Sequence, residues 1–218
     1  MTELFAVVSD LLSQGEDVVL PRVISVKGST PREVGDSMAI CQNGEIAGTV
    51  GGGLIEATAI KKAPEIFRDK GFARFQFDMT RDVLTDADMV CGGKLELLVE
   101  YLPADQETSN IFTGIQSCRQ NNHKCFLISS LPEVDEGKEL LKRFLLSPGG
   151  TCATGSDGSA EVMGRLKDMV HSLSGPSWSK SMKNSSGLTS YSTRECCTYS
   201  ARGIYPAKSA AWRSGADS

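Results

Sequence analysis

The sequence predicts an α/β (mixed α+β) protein: a small mixed-sheet amino-terminal domain with flanking helices over residues 1–103, a short α/β segment over 104–176, and a disordered tail over 177–218. Three observations predict it. Apolar residues recur at the helical period near the start, strand-length apolar or alternating runs bounded by Gly, Pro, Asn and Asp follow, and the composition changes abruptly after residue 176.

Leu4, Phe5, Val8, Leu11 and Leu12 share one helical face, and Gly15 ends that helix. Val18 to Val26 reads as a strand, in which Pro21 implies an edge position or a bulge. The run Gly28 to Asp36 is dense in turn formers and leads into a short strand, Met38 to Cys41. Asn43-Gly44 is a strong hairpin signal, and Glu45 to Val50 is the return strand. After Gly51-Gly52-Gly53 a helix carries Leu54, Ile55, Ile60, Ala63, Ile66 and Phe67 on its apolar face, with Glu56 at its positive end and a kink or restart expected at Pro64. Ala73 to Met79 and Lys94 to Tyr101 follow as strands, separated by the turn-rich stretch Asp86 to Gly93. Beyond Pro103 the pattern predicts a helix (Glu107 to Gln120), strands at Lys124 to Ser129 and Leu140 to Leu146, and a helix from Ser159 to about Leu173.

Residues 177–218 contain eleven Ser but only Leu188 and Ile204 from the Leu/Ile/Val/Phe set, too few to bury a core. They hold six Lys/Arg against two acids, whereas residues 1–176 hold 17 against 25, so an acidic body of net charge −8 precedes a tail of +4. The whole chain is at −4, which argues against nucleic acid as a partner, because binding a phosphate backbone needs a concentrated basic surface. No stretch reaches the roughly 20 consecutive apolar residues of a membrane helix. Met1-Thr2-Glu3-Leu4 lacks the basic flank and apolar run of a secretory signal, so no membrane association and a cytoplasmic location are expected. The seven cysteines form no C-x-x-C pair, and the vicinal Cys196-Cys197 is the one close pair, so neither a disulfide framework nor a zinc ribbon fits.

Three small-residue loops could carry chemistry: Gly28 to Asp36, Gly51 to Gly53, and Cys91 to Gly93. A triple glycine between strand and helix lets backbone N–H groups approach a ligand, and the helix start favours negative charge, so Gly51, Gly52 and Gly53 are candidates for a phosphate cradle. Ser29, Thr30 and Arg32 could add donors. The competing reading is that the glycines only permit tight turns; no Gly-Lys-Ser/Thr makes this a P-loop. Cys91 beside Gly92 and Gly93 could reach a soft metal or a sulfur centre, against the ordinary reading of an inert buried thiol. His123 and His171 stand outside any ligand-like or triad-like spacing and are taken as structural or exposed, and Asp86 with Asp88 as a solvated turn.

Together, Gly28-Ser29-Thr30-Pro31-Arg32 with Gly35, then Gly48-Thr49-Val50-Gly51-Gly52-Gly53 with Glu56, then Cys91-Gly92-Gly93 resemble the amino-terminal domain of the XdhC/CoxI family, the xanthine dehydrogenase accessory proteins. The resemblance spans about residues 4–101 and rests on three motifs in order. It implies a chaperone that binds the molybdenum cofactor (molybdopterin, with or without a nucleotide), supports its sulfuration with a cysteine desulfurase, and delivers it to a xanthine dehydrogenase-type molybdenum hydroxylase, as a monomer or a homodimer. On this reading Ser29, Thr30, Arg32, Gly51, Gly52, Gly53, Glu56, Cys91, Gly92 and Gly93 line the cofactor site, with Cys91 near the molybdenum, and no residue is catalytic.

The family usually continues into a Rossmann-like domain that opens with a Phe-Gly-Ala-Gly-His type turn. Read one frame over, Tyr199 through Ala207 can encode that motif, so residues 177–218 are expected to be an out-of-frame tail that begins near Pro176 and replaces the second domain, the alternative being a natural disordered tail. Two rival functions stand beside the chaperone: an enzyme acting on a phosphorylated or nucleotide-like small molecule with Cys91 as nucleophile or redox thiol, and an inactive truncated product.

Overall fold

The computed structural model describes residues 4–30, 32–79, 93–121, 123, 125–132, 134–147, 152–155, 164, 167, 168, 189–191, 196–205 and 208–212. Helix α1 (Leu4–Ser13) leads into the long strand β1 (Val18–Gly28), the hairpin β2 (Ser37–Cys41) and β3 (Ile46–Thr49), helix α2 (Gly53–Asp69), and strands β4 (Phe72–Asp78) and β5 (Gly93–Leu102). Helix α3 (Gln106–Gln120), β6 (Cys125–Pro132), β7 (Glu136–Gly137), β8 (Arg143–Leu146) and β9 (Cys152–Gly155) follow.

The first sheet has the order β3-β2-β1-β5-β4-β7, with every pairing antiparallel. Strand β1 is central, so the edge position expected from Pro21 is corrected. The β1–β5 register runs through Leu20↔Glu100 and Pro21↔Val99, while the β1–β2 register pairs Val18, Val19 and Arg22 and skips the two residues between. A proline lacks the N–H that a ladder needs, and one local gap accommodates it. The β2–β3 connection uses Gly44 at φ +87, Asn43 Oδ1 accepts the Glu45 N–H at 2.9 Å, and Cys41 N–H bonds the Glu45 carbonyl at 2.9 Å. Helix α2 runs unbroken through Pro64, so no restart occurs there.

Strand alternation sends β1 and β5 side chains to two different layers. On one face Val19, Val23, Leu97 and Val99 pack with Ile55, Ala59, Ala63 and Ile66 of α2. On the other, Val18, Leu20 and Leu102 meet Phe5, Val8 and Leu12 of α1, Ile111, Phe112 and Ile115 of α3, and Leu127 and Leu145 beyond. Phe5 and Phe112 bring their rings to 6.1 Å between centroids. Asp105 caps α3 by accepting the Thr108 N–H at 2.7 Å. Asp17 ties the start of β1 to the end of β5 by accepting from the Tyr101 hydroxyl at 2.5 Å and the Ala104 N–H at 2.8 Å. Burial and the Asp17 carboxylate push the Tyr101 phenol well above its ordinary pKa.

Strands β6, β8 and β9 belong to a second sheet, completed by β10 (Thr189–Tyr191), β11 (Cys196–Tyr205) and β12 (Lys208–Trp212) in the order β10-β11-β12-β6-β8-β9. Strand β11 lies parallel to β6. These last three strands fall in the stretch whose composition predicts disorder. Ladder pairing uses backbone groups that every non-proline residue carries, so it needs no apolar side chains, and the described apolar core ends at Leu146. The helix expected over 159–173 lies outside the described residues apart from 164, 167 and 168. Among the described residues, no helix is long and apolar enough to cross a membrane.

Candidate functional site

Two of the three loops hang from one core cluster. Val34 anchors the first loop and Val50 the second, each at most 1% exposed, beside Ile55 at the start of α2. The first loop returns to β1 through Gly35 N–H to the Val23 carbonyl at 2.9 Å and Val23 N–H to the Asp36 carbonyl at 2.8 Å. Within it the Thr30 hydroxyl donates to the Arg32 carbonyl at 2.7 Å, so its proton shapes the turn and is not free for a ligand.

The first loop meets the second through Arg32. A Cβ at Gly51 would sit 2.6 Å from Arg32 Nε and 3.0 Å from Cδ and Cγ, so the arginine stem lies directly across the glycine. Arg32 Nε is buried and has no hydrogen-bond partner among the described residues. Gly51, Gly52 and Gly53 hold φ of +126°, +70° and +54°, a run that only glycine adopts without strain. Side chains at Gly52 and Gly53 would meet open space.

The first loop also meets the start of β5. Gly28 pairs with Gly93, and a Cβ on Gly93 would stand 2.5 Å from Thr30 Cγ2, 2.7 Å from the Ser29 carbonyl oxygen and 2.8 Å from that of Lys27. Ser29, Thr30, Arg32, Gly51 and Gly93 therefore converge at one end of the sheet. Cys91 and Gly92 lie outside the described residues, as do Asp86, Asp88 and His171. His123 is exposed just after α3, a helix that packs on the sheet face opposite α2. Among the described residues no group of three His, Cys, Asp or Glu could hold a metal ion, and Cys41, Cys118 and Cys125 form no disulfide. Burial, with Glu16 and Glu45 nearby, raises the Cys41 pKa and keeps it a thiol.

Glu56 takes a place that its position in the sequence does not reveal. Its Oε1 accepts from the Thr49 hydroxyl, from Val50 N–H at 3.2 Å and from Gly51 N–H at 3.3 Å. The Thr49 hydrogen bond, with backbone bonds from Gly52, Gly51 and Val50, holds the carboxyl below its ordinary pKa against the opposing effect of burial. Stability from this group is complete above the ordinary glutamate range and is lost as pH falls through the lowered folded-state value, because the folded form binds fewer protons than the unfolded one. Thermal melts across acid pH should show this loss in the wild type, and Glu56→Gln should flatten it. An unchanged acid limb in the variant would assign the loss to other carboxylates.

Residues 11–78 match the XdhC and CoxI family. The match covers the first two loops. The uncharacterized protein YqeB of Escherichia coli (strain K12) is 25% identical over 96 residues, which are 44% of this chain and 18% of that protein. A crystal structure of a xanthine dehydrogenase from Bacillus halodurans is similar with a TM-score of 0.55 at 16% identity, covering 74% of this chain and 47% of that one, a likeness of fold. The chain thus spans less than one fifth of the curated relative and about half of the structural one.

Proposed function

We propose that this chain, whose amino-terminal part is that of the XdhC and CoxI family over residues 11–78, is an accessory protein that holds the molybdenum cofactor for a xanthine dehydrogenase-type hydroxylase. The observation that carries the proposal is Arg32: a guanidinium stem laid across Gly51, with a buried Nε that lacks a partner among the described residues. A desolvated, unpartnered donor on a cation suits an anion, and molybdopterin carries a phosphate or, with a nucleotide, a diphosphate.

In this reading Arg32 binds the phosphate end. Ser29 supplies an exposed hydroxyl beside it, and Thr30 and Gly93 fix the path of the first loop. Cys91, two residues before Gly93 in the sequence, would be the thiol for the metal end. The bound group would supply a molybdenum centre with an exchangeable sulfur, which a cysteine desulfurase would provide. The client would be a molybdenum hydroxylase, and the setting cytoplasmic.

The test is retention. Purified chain is incubated with molybdenum cofactor and desalted, and molybdenum and pterin fluorescence are measured in the protein fraction. Wild type should retain cofactor near one equivalent, and Arg32→Ala should weaken retention by roughly ten- to a hundredfold, the scale of one charge-assisted contact. Equal retention by the variant would remove Arg32 from the site, and no retention by folded wild type would remove the accessory reading for this chain.

A further inference from the structure

Successive backbone N–H groups in left-handed conformation form a concavity that draws an anion. The turn at Gly51 to Gly53 has three consecutive positive φ angles, with Gly52 at φ +70° and ψ −171°, and its first amides converge on one acceptor. The anion it holds here is the chain's own. Glu56 Oε1 accepts from Val50 N–H, Gly51 N–H and the Thr49 hydroxyl, and Thr49 Oγ1 also accepts the Gly51 N–H at 3.1 Å. One carboxylate oxygen with three donors is filled, so a phosphate oxygen could take these N–H groups only by expelling a carboxylate that the same contacts keep ionised. Among the described residues, the buried side-chain donor without a partner in this neighbourhood is Arg32 Nε, whose stem rests on Gly51.

We infer that Glu56 is a positioning residue: its carboxylate holds the glycine turn in its left-handed form beneath Arg32, and the phosphate end of the ligand meets Arg32 while the amides of Val50 and Gly51 stay with Glu56. This deepens the accessory reading and rests on it for the identity of the ligand. It changes what the triple glycine is for. The glycines give Glu56 access to the backbone and give Arg32 a flat surface to lie on.

The test uses the full chain with inorganic pyrophosphate as the probe, titrated calorimetrically, together with amide hydrogen exchange at Val50 and Gly51 without ligand. Glu56→Ala should weaken pyrophosphate binding about tenfold or more and speed exchange at both amides. Glu56→Gln keeps an acceptor oxygen and should restore both readouts to within about threefold of wild type. Pyrophosphate binding to Glu56→Ala as tight as to wild type, or tighter, would overturn the assignment, because Glu56 would then compete with the ligand for the same N–H groups. Unchanged exchange at Val50 and Gly51 in Glu56→Ala would overturn it as well. If wild type binds no pyrophosphate, the anion reading of the site fails, and the exchange data alone decide the role of Glu56.

Discussion

Glu100→Ala should lower stability by about 3–5 kcal/mol, the cost of breaking a buried ion pair from one side, and drop the melting midpoint by roughly 10 °C or more. Glu100 lies on β5 at 1% exposure and joins two arginines. Its Oε1 stands 2.6 Å from Arg22 Nη2 on β1, and its Oε2 accepts from Arg143 Nε at 3.2 Å and Nη2 at 2.7 Å on β8 of the second sheet. Arg143 Nη2 also donates to the Tyr101 carbonyl at 3.0 Å. Arg22 is fully buried, and its Nε and Nη1 have no partner among the described residues. Burial lowers the Arg22 pKa, Glu100 opposes that shift and Arg143 adds to it, so the carboxylate is what makes this guanidinium tolerable. Removing it leaves two cations facing each other in an apolar layer. Replacing all three residues together by Met or Leu should recover most of the loss, because apolar groups of similar volume need no counter-charge. A single Glu100→Ala variant that melts within about 2 °C of wild type would show that the cluster is not what holds the two sheets together.

That cluster marks the limit of what the sequence discloses. The period-two pattern Val18, Leu20, Arg22, Ile24 places a charge at an inward position of β1, which is legible, but nothing local says that Glu100 and Arg143 come to meet it from 78 and 121 residues away. The same division holds throughout. Helix α1, the β2–β3 hairpin, and strands β4 and β5 follow from periodicity and turn chemistry, because those signals are local. The central position of β1 despite Pro21 does not, since which strand pairs with which is decided across the whole sheet. At the candidate site, the three loops were identifiable as glycine-rich turns next to strands, and the structure brings Ser29, Thr30, Arg32, Gly51 and Gly93 together. That Glu56 fills the turn could not be read from its position early in α2, where an acid is expected for the helix dipole alone. A Thr seven residues before the Glu, with glycines between, is the pattern that could have pointed to it.

On the proposed accessory role, Gly93→Ala should weaken cofactor retention by up to about a hundredfold while leaving the chain folded. The added methyl would stand 2.5 Å from Thr30 Cγ2, 2.7 Å from the Ser29 carbonyl oxygen and 2.8 Å from the Lys27 carbonyl oxygen. A side-chain methyl can rotate away; two backbone carbonyls cannot, so the first loop must move off β5. Overpacking of this kind costs about 1–3 kcal/mol, enough to lower the melting midpoint by several degrees but below the cost of losing Glu100. The functional effect is larger than the stability effect because the displacement falls on Ser29 and Thr30, and the Thr30 hydroxyl sets the turn that delivers Arg32 to Gly51. Binding geometry tolerates such shifts poorly, since an error of about 1 Å in a positioned group can cost a hundredfold. Gly52→Ala is the matched comparison in the second loop: its Cβ meets nothing within 4 Å, so its penalty comes only from φ +70. Pterin fluorescence after desalting, measured beside melting curves for both variants, separates the two effects. Full retention by Gly93→Ala would mean that the junction between the first loop and β5 does not shape the site.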